Sequence, residues 1–471
     1  MKDTLRPYQS RDIERIYSAF DVVRRVMYVL PTGAGKTTLF SQIANDYEKS
    51  GRRVLLLVHR KELIAQAARK FFDHWIVYGI IASNIEPNPS RPVQIASVQT
   101  AIRRRLPQKF DLIIVDEAHH ATANSYRDIV KQYPEAKVLG VTATPCRTNG
   151  DGFENDYDIL IAGPSIRELI QDGYLVKPKM AVAPLRMDLK SVKLTGGDYN
   201  ERQLAELMDN NILVGGLVRQ WRKHAEGKKT IVFAVTVEHS KHIVATYNAE
   251  GIPAAHVDGT TPQPERDRIL KDFAAGKYLV LSNVGIVTEG FDVPAIECVQ
   301  LCRPTKSLSL YLQMVGRGLR PTKDKTHATI LDHANCVFEH RYPQDDREWS
   351  LKGLVRKPQP KQLMCVDRLT QKAYTPQELP QHVEDIDLIE MEYDESRVYL
   401  LDKLIREAHG KGFKTGWAWF RFIEKIGKPT VYEIQQAQQK LGFKAGWERY
   451  QYIEHGYTDQ HTHTQHTGAL V

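Results

Sequence analysis

The chain has 471 residues, of which 42% are hydrophobic and 26% charged, and a formal net charge of +8. This is ordinary composition for globular domains, and the length allows two to four of them. It excludes three classes: no apolar run approaches the ~20 residues that cross a bilayer, the first ten residues lack the apolar stretch of a secretory leader, and five scattered cysteines (Cys146, Cys298, Cys302, Cys336, Cys365) supply no disulfide framework.

Reduced thiols, no membrane partner and a cytoplasmic location are the expectation. The excess of Lys and Arg suits a polyanionic partner, because these side chains neutralise phosphates and release counterions.

In chain order, apolar runs alternate with amphipathic helical stretches over the first ~180 residues, the pattern of a parallel α/β sheet. Val26–Leu30, Val54–Val58, Val93–Ser97, Leu112–Val115 and Val138–Val141 read as buried strands. Thr37–Lys49 and Glu62–Phe72 read as helices between them. The first strand runs into Pro31-Thr32-Gly33-Ala34-Gly35-Lys36-Thr37-Thr38. A strand, a glycine-containing loop and a helix in that order form a phosphate cradle. The glycines let backbone N–H groups approach the phosphates, Lys36 brings a point charge to the β and γ groups, and Thr37 offers a hydroxyl to Mg²⁺. The strict loop pattern wants glycine at position 30, where this chain has leucine.

Asp116-Glu117-Ala118-His119 follows the apolar strand LIIV. A carboxylate at the end of a neighbouring strand reaches the same Mg²⁺, so Asp116 is the second expected metal contact. Glu117 is the candidate base for the attacking water. His119 is the candidate sensor of the γ-phosphate.

Residues 147–200 read as an irregular, partly helical connection. A second α/β pattern begins near Glu201, with strands at Thr230–Ala234, Ala254–Val257, Tyr278–Ser282, Cys298–Leu301 and Ala328–Asp332, and ends near Phe338. Within it, the segment from Gln313 to Arg320, QMVGRGLR, carries Arg317 and Arg320 three apart on a helix. A guanidinium on the transferring phosphoryl group is worth ~10³–10⁵ in rate, so both arginines, with Gln313 beside them, are candidates to act across a cleft.

The chain then turns polar, with KPQPKQ at Lys357–Gln362 and an acidic stretch around Glu384–Glu395. A repeat follows: GFKTGWAWFRF at Gly412–Phe422 is echoed by GFKAGWERYQY at Gly442–Tyr452. Residues 403–452 hold ten Lys or Arg against four Glu, with aromatics interleaved. Those aromatics can form the cores of two small hairpins, or stack bases at ~1–3 kcal/mol each where exposed. The histidine-rich tail from His461 reads as disordered, with metal binding there adventitious.

With these motifs on the page, the chain resembles superfamily 2 helicases of the DEAH-box type. The resemblance rests on LRPYQ at Leu5–Gln9, PTGAGKT, VHRKEL at Val58–Leu63, IASVQT at Ile95–Thr100, DEAH, TAT at Thr142–Thr144, IVFAVTVEHS at Ile231–Ser240, TEGFDVP at Thr288–Pro294 and QMVGRGLR. Leucine at position 30 is normal in that family. The RadD-type and XPB-like bacterial branch looks most similar.

The resemblance implies two tandem RecA-like parallel-sheet lobes, residues 1–178 and 179–340, plus a small, mostly helical C-terminal region. That region divides into an accessory segment (341–400), the repeats (401–457) and a tail (458–471). It implies that Gln9, helped by Arg6, reads adenine. Arg60, Ser97 and Thr100 of the first lobe, and Thr236, Asn283 and Thr288 of the second, would hold the nucleic-acid backbone. Thr142 and Thr144 would couple nucleotide to strand, and Gly290 and Asp292 would bridge toward the nucleotide. RadD-type chains often carry a cysteine-rich element after the second lobe. Here that region has only Cys365, so no zinc is expected.

The expected function is an ATP- and Mg²⁺-dependent nucleic-acid motor, on DNA in preference to RNA and as a monomer. The 3′–5′ direction and a place in repair or recombination come from the resemblance alone. One alternative is an ATPase that translocates without separating strands, remodelling protein–DNA complexes or serving a restriction or defence system. Another is an inactive nucleic-acid-binding scaffold, against which the intact Lys36, Asp116, Glu117, Arg317 and Arg320 argue.

Overall fold

A computed structural model describes residues 5–59, 61–83, 85–104, 106, 109–120, 123–147, 152–183, 189, 191–208, 211–286, 296–353, 365–366, 373–374 and 388–391. One compact unit, Met1–Lys357 with Pro376–Glu390, holds two sheets.

The first sheet has seven strands: β1 Arg25–Val29, β2 Val54–Val58, β3 Tyr78–Ile81, β4 Val93–Ser97, β5 Leu112–Asp116, β6 Lys137–Thr142 and β7 Ile159–Ala162. They pair in parallel in the order β3-β4-β2-β5-β6-β1-β7. β2, β4 and β5 are buried at every residue, as expected for strands covered on both faces by helices. The covering helices are α1 Pro7–Val22, α2 Lys36–Lys49, α3 Lys61–Asp73, α4 Val98–Ala101, α5 Ala123–Lys131 and α6 Ile166–Gln171. The strand order sets the chemistry. β5, β6 and β1 are neighbours, with Asp116 level with Val141 and Val29 level with Thr142. The turns that follow these three strands therefore meet at one edge of the sheet.

The second sheet comprises β8 Lys177–Val182, β11 Thr230–Phe233, β12 Ala254–Val257, β13 Val280–Asn283, β14 Cys298–Leu301, β15 His327–Asp332 and β18 Ile389–Met391. Their order is β12-β13-β11-β14-β15-β8-β18. A small antiparallel pair, β9 Leu194–Thr195 and β10 Asp198–Tyr199, lies outside it. The helices are α7 Glu201–Met208, α8 Asn211–Ala225, α9 Val237–Ala249, α10 Gln263–Ala274, α11 Leu308–Gly318 and α12 Cys336–His340. Of the second compact unit, an antiparallel pair is described, β16 Cys365–Val366 with β17 Ala373–Tyr374. The repeats and the tail lie outside the described residues. No described helix is long and apolar enough to cross a membrane.

Two readings of the sequence change here. The stretch 147–200 is more ordered than an irregular connection: it gives β7 to the first sheet and β8 to the second. Nor does the packed structure stop near Phe338. Trp349 and Leu351 pack against the core of the first sheet, and the Leu351 carbonyl accepts from Phe153 N at 2.5 Å. The polar residues of 341–348 hid that return. Cys146, Cys298, Cys302 and Cys336 are buried free thiols, and burial pushes Cys146 and Cys298 up to about 12.

Candidate active site

The loop between β1 and α2 is shaped by two glycines. Gly33 and Gly35 have φ of +85° and +90°, a left-handed conformation that strains other residues. A Cβ on Gly35 would lie 2.7 Å from Gln9 Nε2, and one on Gly33 would lie 3.2 Å from Arg320 Cγ. The bare backbone therefore has a structural use as well as a chemical one. Helix α2 starts at Gly35 with no side-chain cap, so the amides of its first turn, which carries Lys36, Thr37 and Thr38, keep their attraction for an anion. Pro31 O accepts from Ala34 N at 3.2 Å and closes the turn. Thr32 Oγ1 is buried and has no hydrogen-bond partner among the described residues. A cradle that a Cβ would fill, an uncapped helix start and an orphaned hydroxyl together fit a phosphate ligand with its Mg²⁺.

The start of α1 braces this loop. Tyr8 OH donates to Ala34 O, and Gln9 Nε2 donates to Gly35 O at 3.1 Å. Gln9 Oε1 accepts from Arg6 N at 2.9 Å. The Gln9 amide thus keeps one N–H and one lone pair for a base edge. The Arg6 guanidinium lies 4.9 Å from the Tyr174 ring centroid, and the Tyr8 and Tyr174 rings meet edge to face at 5.3 Å. The sequence reading singled out neither tyrosine. Tyr8 could have been found beside Gln9 in LRPYQ; Tyr174 sits in no motif, and only folding brings it there.

Glu117, just past β5, stands between Lys36 and His119. Its Oε1 is 3.2 Å from Lys36 Nζ and its Oε2 is 3.4 Å from His119 Nδ1. Its φ of +46° is a left-handed geometry that costs a non-glycine residue energy. The amide of Glu117 donates to Asp116 Oδ1 at 2.9 Å. His119 Nδ1 lies 2.8 Å from Thr142 Oγ1, which itself donates to Thr144 O at 3.0 Å. With its hydrogen spent there, Thr142 accepts from His119, so the proton sits on Nδ1. Nε2 then accepts from Gln313 Nε2 at 3.2 Å.

That last contact crosses between the lobes. Helix α11 is capped by Ser307, whose hydroxyl accepts from Leu310 N at 3.2 Å. A Cβ on its Gly316 would lie 2.7 Å from Thr32 Cβ, so helix and phosphate loop are in close contact. Arg320, just beyond the helix, lies along the loop at Gly33, and Arg317 is buried. Lys36, Glu117, His119, Gln313 and Arg320 are thus brought around one cradle.

The expected nucleic-acid contacts fare differently. Thr142, Thr144 and Asn283 are fully buried, with side chains that bond His119, Ser309 Oγ and Val232 O. In this arrangement all three side chains are engaged inside the protein. Ser97 and Thr236 cap α4 and α9, accepting from Thr100 N at 3.3 Å and His239 N at 3.2 Å. Ser97 is itself buried and also bonds Thr100 Oγ1. Arg60, Thr288, Gly290 and Asp292 lie outside the described residues.

Known proteins resemble the chain in both lobes. Residues 2–147 match the family described as type III restriction enzyme, res subunit, and residues 209–322 match the helicase conserved C-terminal domain. A 51.5 kDa protein of a Lactococcus phage is 37% identical over 320 residues, 68% of each chain. A candidate ATP-dependent helicase of Saccharomyces cerevisiae, IRC3, is 36% identical over 356 residues, 70% of this chain and 51% of that one. The DNA 3′-5′ translocase XPB2 of Sulfurisphaera tokodaii is 27% identical over 395 residues, 74% and 85% of the two chains. The chain thus spans about two thirds of the phage protein and about half of the yeast one. The solved fragment of a type I restriction-enzyme HsdR subunit candidate from Vibrio vulnificus shares the fold, with a TM-score of 0.57 at 23% identity, over 71% of this chain and 65% of that one. The two parallel-sheet lobes are RecA-like. Because each family match falls on one lobe, and the sequence likeness runs through both, the chain belongs to the superfamily 2 helicases.

Proposed function

We propose that the chain is an ATP-driven motor on nucleic acid, DNA in preference to RNA, whose nucleotide pocket is divided between its two lobes. The observation that carries this reading is the contact of Arg320 and Gly316 with the phosphate loop at Gly33 and Thr32. Hydrolysis in a pocket with walls on two bodies changes the attraction between those bodies. If each grips the strand separately, that change becomes movement.

In this reading Lys36 holds the β and γ phosphates, and Arg317 and Arg320 meet the charge that develops on the γ group. Glu117 orients the attacking water and takes its proton, after leaving its ion pair with Lys36. Mg²⁺ held by Thr37 and Asp116 would supply charge to the phosphate oxygens. His119 and Gln313 carry the state of the site to the other lobe. Gln9 and Arg6 read the base. A 3′–5′ direction is supported by the likeness to a protein named as a DNA 3′-5′ translocase. That name also favours a second reading, translocation without strand separation.

The test is ATP turnover measured side by side with single-stranded DNA, duplex DNA, forked DNA and RNA. DNA should raise turnover well above RNA and above the strand-free rate. Equal turnover in all conditions would defeat the motor reading. Release of a labelled strand from the fork separates unwinding from translocation alone.

A further inference from the structure

Arg320 can serve the phosphate loop only if its backbone is held in place, and it lies beyond the end of α11, where helix carbonyls lack partners. Three successive carbonyls there are nevertheless engaged. Val176 N, just before β8, donates to Leu319 O at 2.9 Å. The carbonyls on either side, Gly318 O and Arg320 O, both accept from the ammonium of Lys325, the second at 3.0 Å. The third bond of the same ammonium goes to Ile296 O, just before β14. Lys325 reaches back by way of a turn in which its own amide donates to Thr322 O at 3.2 Å.

An ammonium has three hydrogens, and here each meets a backbone carbonyl. Two belong to the turn that carries Arg320, and one to the segment that leads into β14. A merely decorative lysine at a helix end would keep its charge in water; this one does not.

We infer that Lys325 is a positioning residue for hydrolysis, a clamp that ties the arginine-bearing turn after α11 to the second sheet and so holds Arg320 at the phosphate loop. The inference rests on the reading that Arg320 acts on the γ-phosphate.

The clamp works only while charged. Burial brings the Lys325 ammonium down to about 8, against the ordinary lysine value of 10.5. Glu297 and Cys298, at the start of β14, oppose that shift, and Arg320 adds to it. Lys323 and Asp324 share its turn. Loss of the proton leaves an amine with two hydrogens for three carbonyls, and a weaker donor. The hold on Arg320 should therefore slacken as pH rises through about 8.

The experiment compares wild type, Lys325→Met, Lys325→Arg and Arg320→Ala in the full chain. It measures kcat of DNA-stimulated ATP hydrolysis from about pH 6.5 to 9.5, affinity for a fluorescent ATP analogue, and thermal unfolding. Wild type should lose kcat on the alkaline side with a midpoint near pH 8. Lys325→Met should have kcat reduced roughly tenfold or more at neutral pH, nucleotide affinity within about threefold, and no alkaline limb. Lys325→Arg, charged throughout, should keep most of the neutral activity and flatten the limb.

A folded Lys325→Met with wild-type kcat and an unchanged limb would overturn the clamp. If Lys325→Met does not fold, the pH profiles of wild type and Lys325→Arg decide, and superimposable limbs would overturn it. Normal turnover by Arg320→Ala would instead defeat the reading on which the clamp rests, whatever the Lys325 variants do.

Discussion

Gln313 of the second lobe meets His119 of the first at 3.2 Å, and the polar chain that starts there returns to its own helix. It passes from His119 to Thr142, to Thr144, and by the Thr144 hydroxyl to Ser309 Oγ at 2.6 Å. Ser309 and Gln313 are four apart on α11, one turn on one face. One helix of the second lobe therefore grips the first lobe at two points, through residues that are all buried. A buried polar circuit of this kind has two discrete arrangements, made or broken, which suits a signal between lobes.

The circuit predicts non-additive mutants. Gln313→Ala and His119→Ala should each lower DNA-stimulated turnover, and the double variant should lose less than the product of the two. The coupling should fall in the range of about 0.5–3 kcal/mol. A double-mutant cycle on kcat checks this, and strictly additive losses would remove the circuit from the mechanism.

Lys36→Ala should abolish turnover, and Glu117→Gln should lower kcat by roughly 10²–10⁴ with nucleotide affinity retained. The 3.2 Å pair between these side chains adds a second expectation. In Lys36→Ala the Glu117 carboxylate loses its lysine neighbour in a largely buried site, so the strand-free protein should also be less stable. Nucleotide titration and thermal unfolding of both variants separate the two effects.

Arg320→Ala should reduce kcat by about 10³–10⁵ and leave affinity for ATP mostly intact, since its charge is needed most as the phosphoryl group transfers. Gly316→Ala probes the same contact sterically. Its new Cβ would lie 2.7 Å from Thr32 Cβ, so the lobes cannot approach as closely. Reduced kcat with normal unfolding of the protein is expected, read by stopped-assay turnover beside calorimetry.

Gly35→Ala should weaken the phosphate loop itself. The left-handed φ costs an alanine about 1–3 kcal/mol, and the added Cβ displaces Gln9. Both nucleotide affinity and thermal stability should fall, whereas Gly173→Ala, with a φ of +75° but open space around it, should cost only stability.

Asp332 gives a pH prediction away from the site. It ends β15 and accepts from the amides of Ala334, Cys336 and Val337 at 3.2, 3.0 and 2.8 Å. Burial outweighs these donors and pushes its carboxyl up to about 6, above the ~3.9 of an unfolded chain. The folded protein then binds a proton that the unfolded chain releases, so this group's contribution to stability falls as pH rises from about 4 to about 6 and is level above. Urea unfolding of wild type against Asp332→Asn across that window should show the difference, on the order of 2–3 kcal/mol.

Much of the site was legible because its parts are local. A strand, a glycine turn and a helix lie together in the chain, so PTGAGKT announces its cradle; DEAH and QMVGRGLR do the same for a strand end and a helix. The strands were legible where burial on both faces leaves unbroken apolar runs. β3, β7 and β8 are not legible because they are edge or near-edge strands with mixed burial. Ser97, Thr236 and Asn283 show what a motif leaves open. A hydroxyl or amide in a motif can serve a ligand or its own backbone, and only the fold shows that these cap helices or bond a neighbouring strand.

By itself, then, the sequence determined which chemistry is present: a phosphate loop, two acids on a strand end and a pair of arginines, each encoded within about eight residues. Tertiary structure alone decided their company. Parallel pairing put β5, β6 and β1 side by side, lobe contact laid α11 on the phosphate loop, and the run of chain between α6 and β8 laid Tyr174 on Arg6. The physical reason is range. Propensity and hydrophobic period act over a turn or a strand, whereas the closing of one buried polar circuit across two sheets depends on contacts between residues with no relation in the chain.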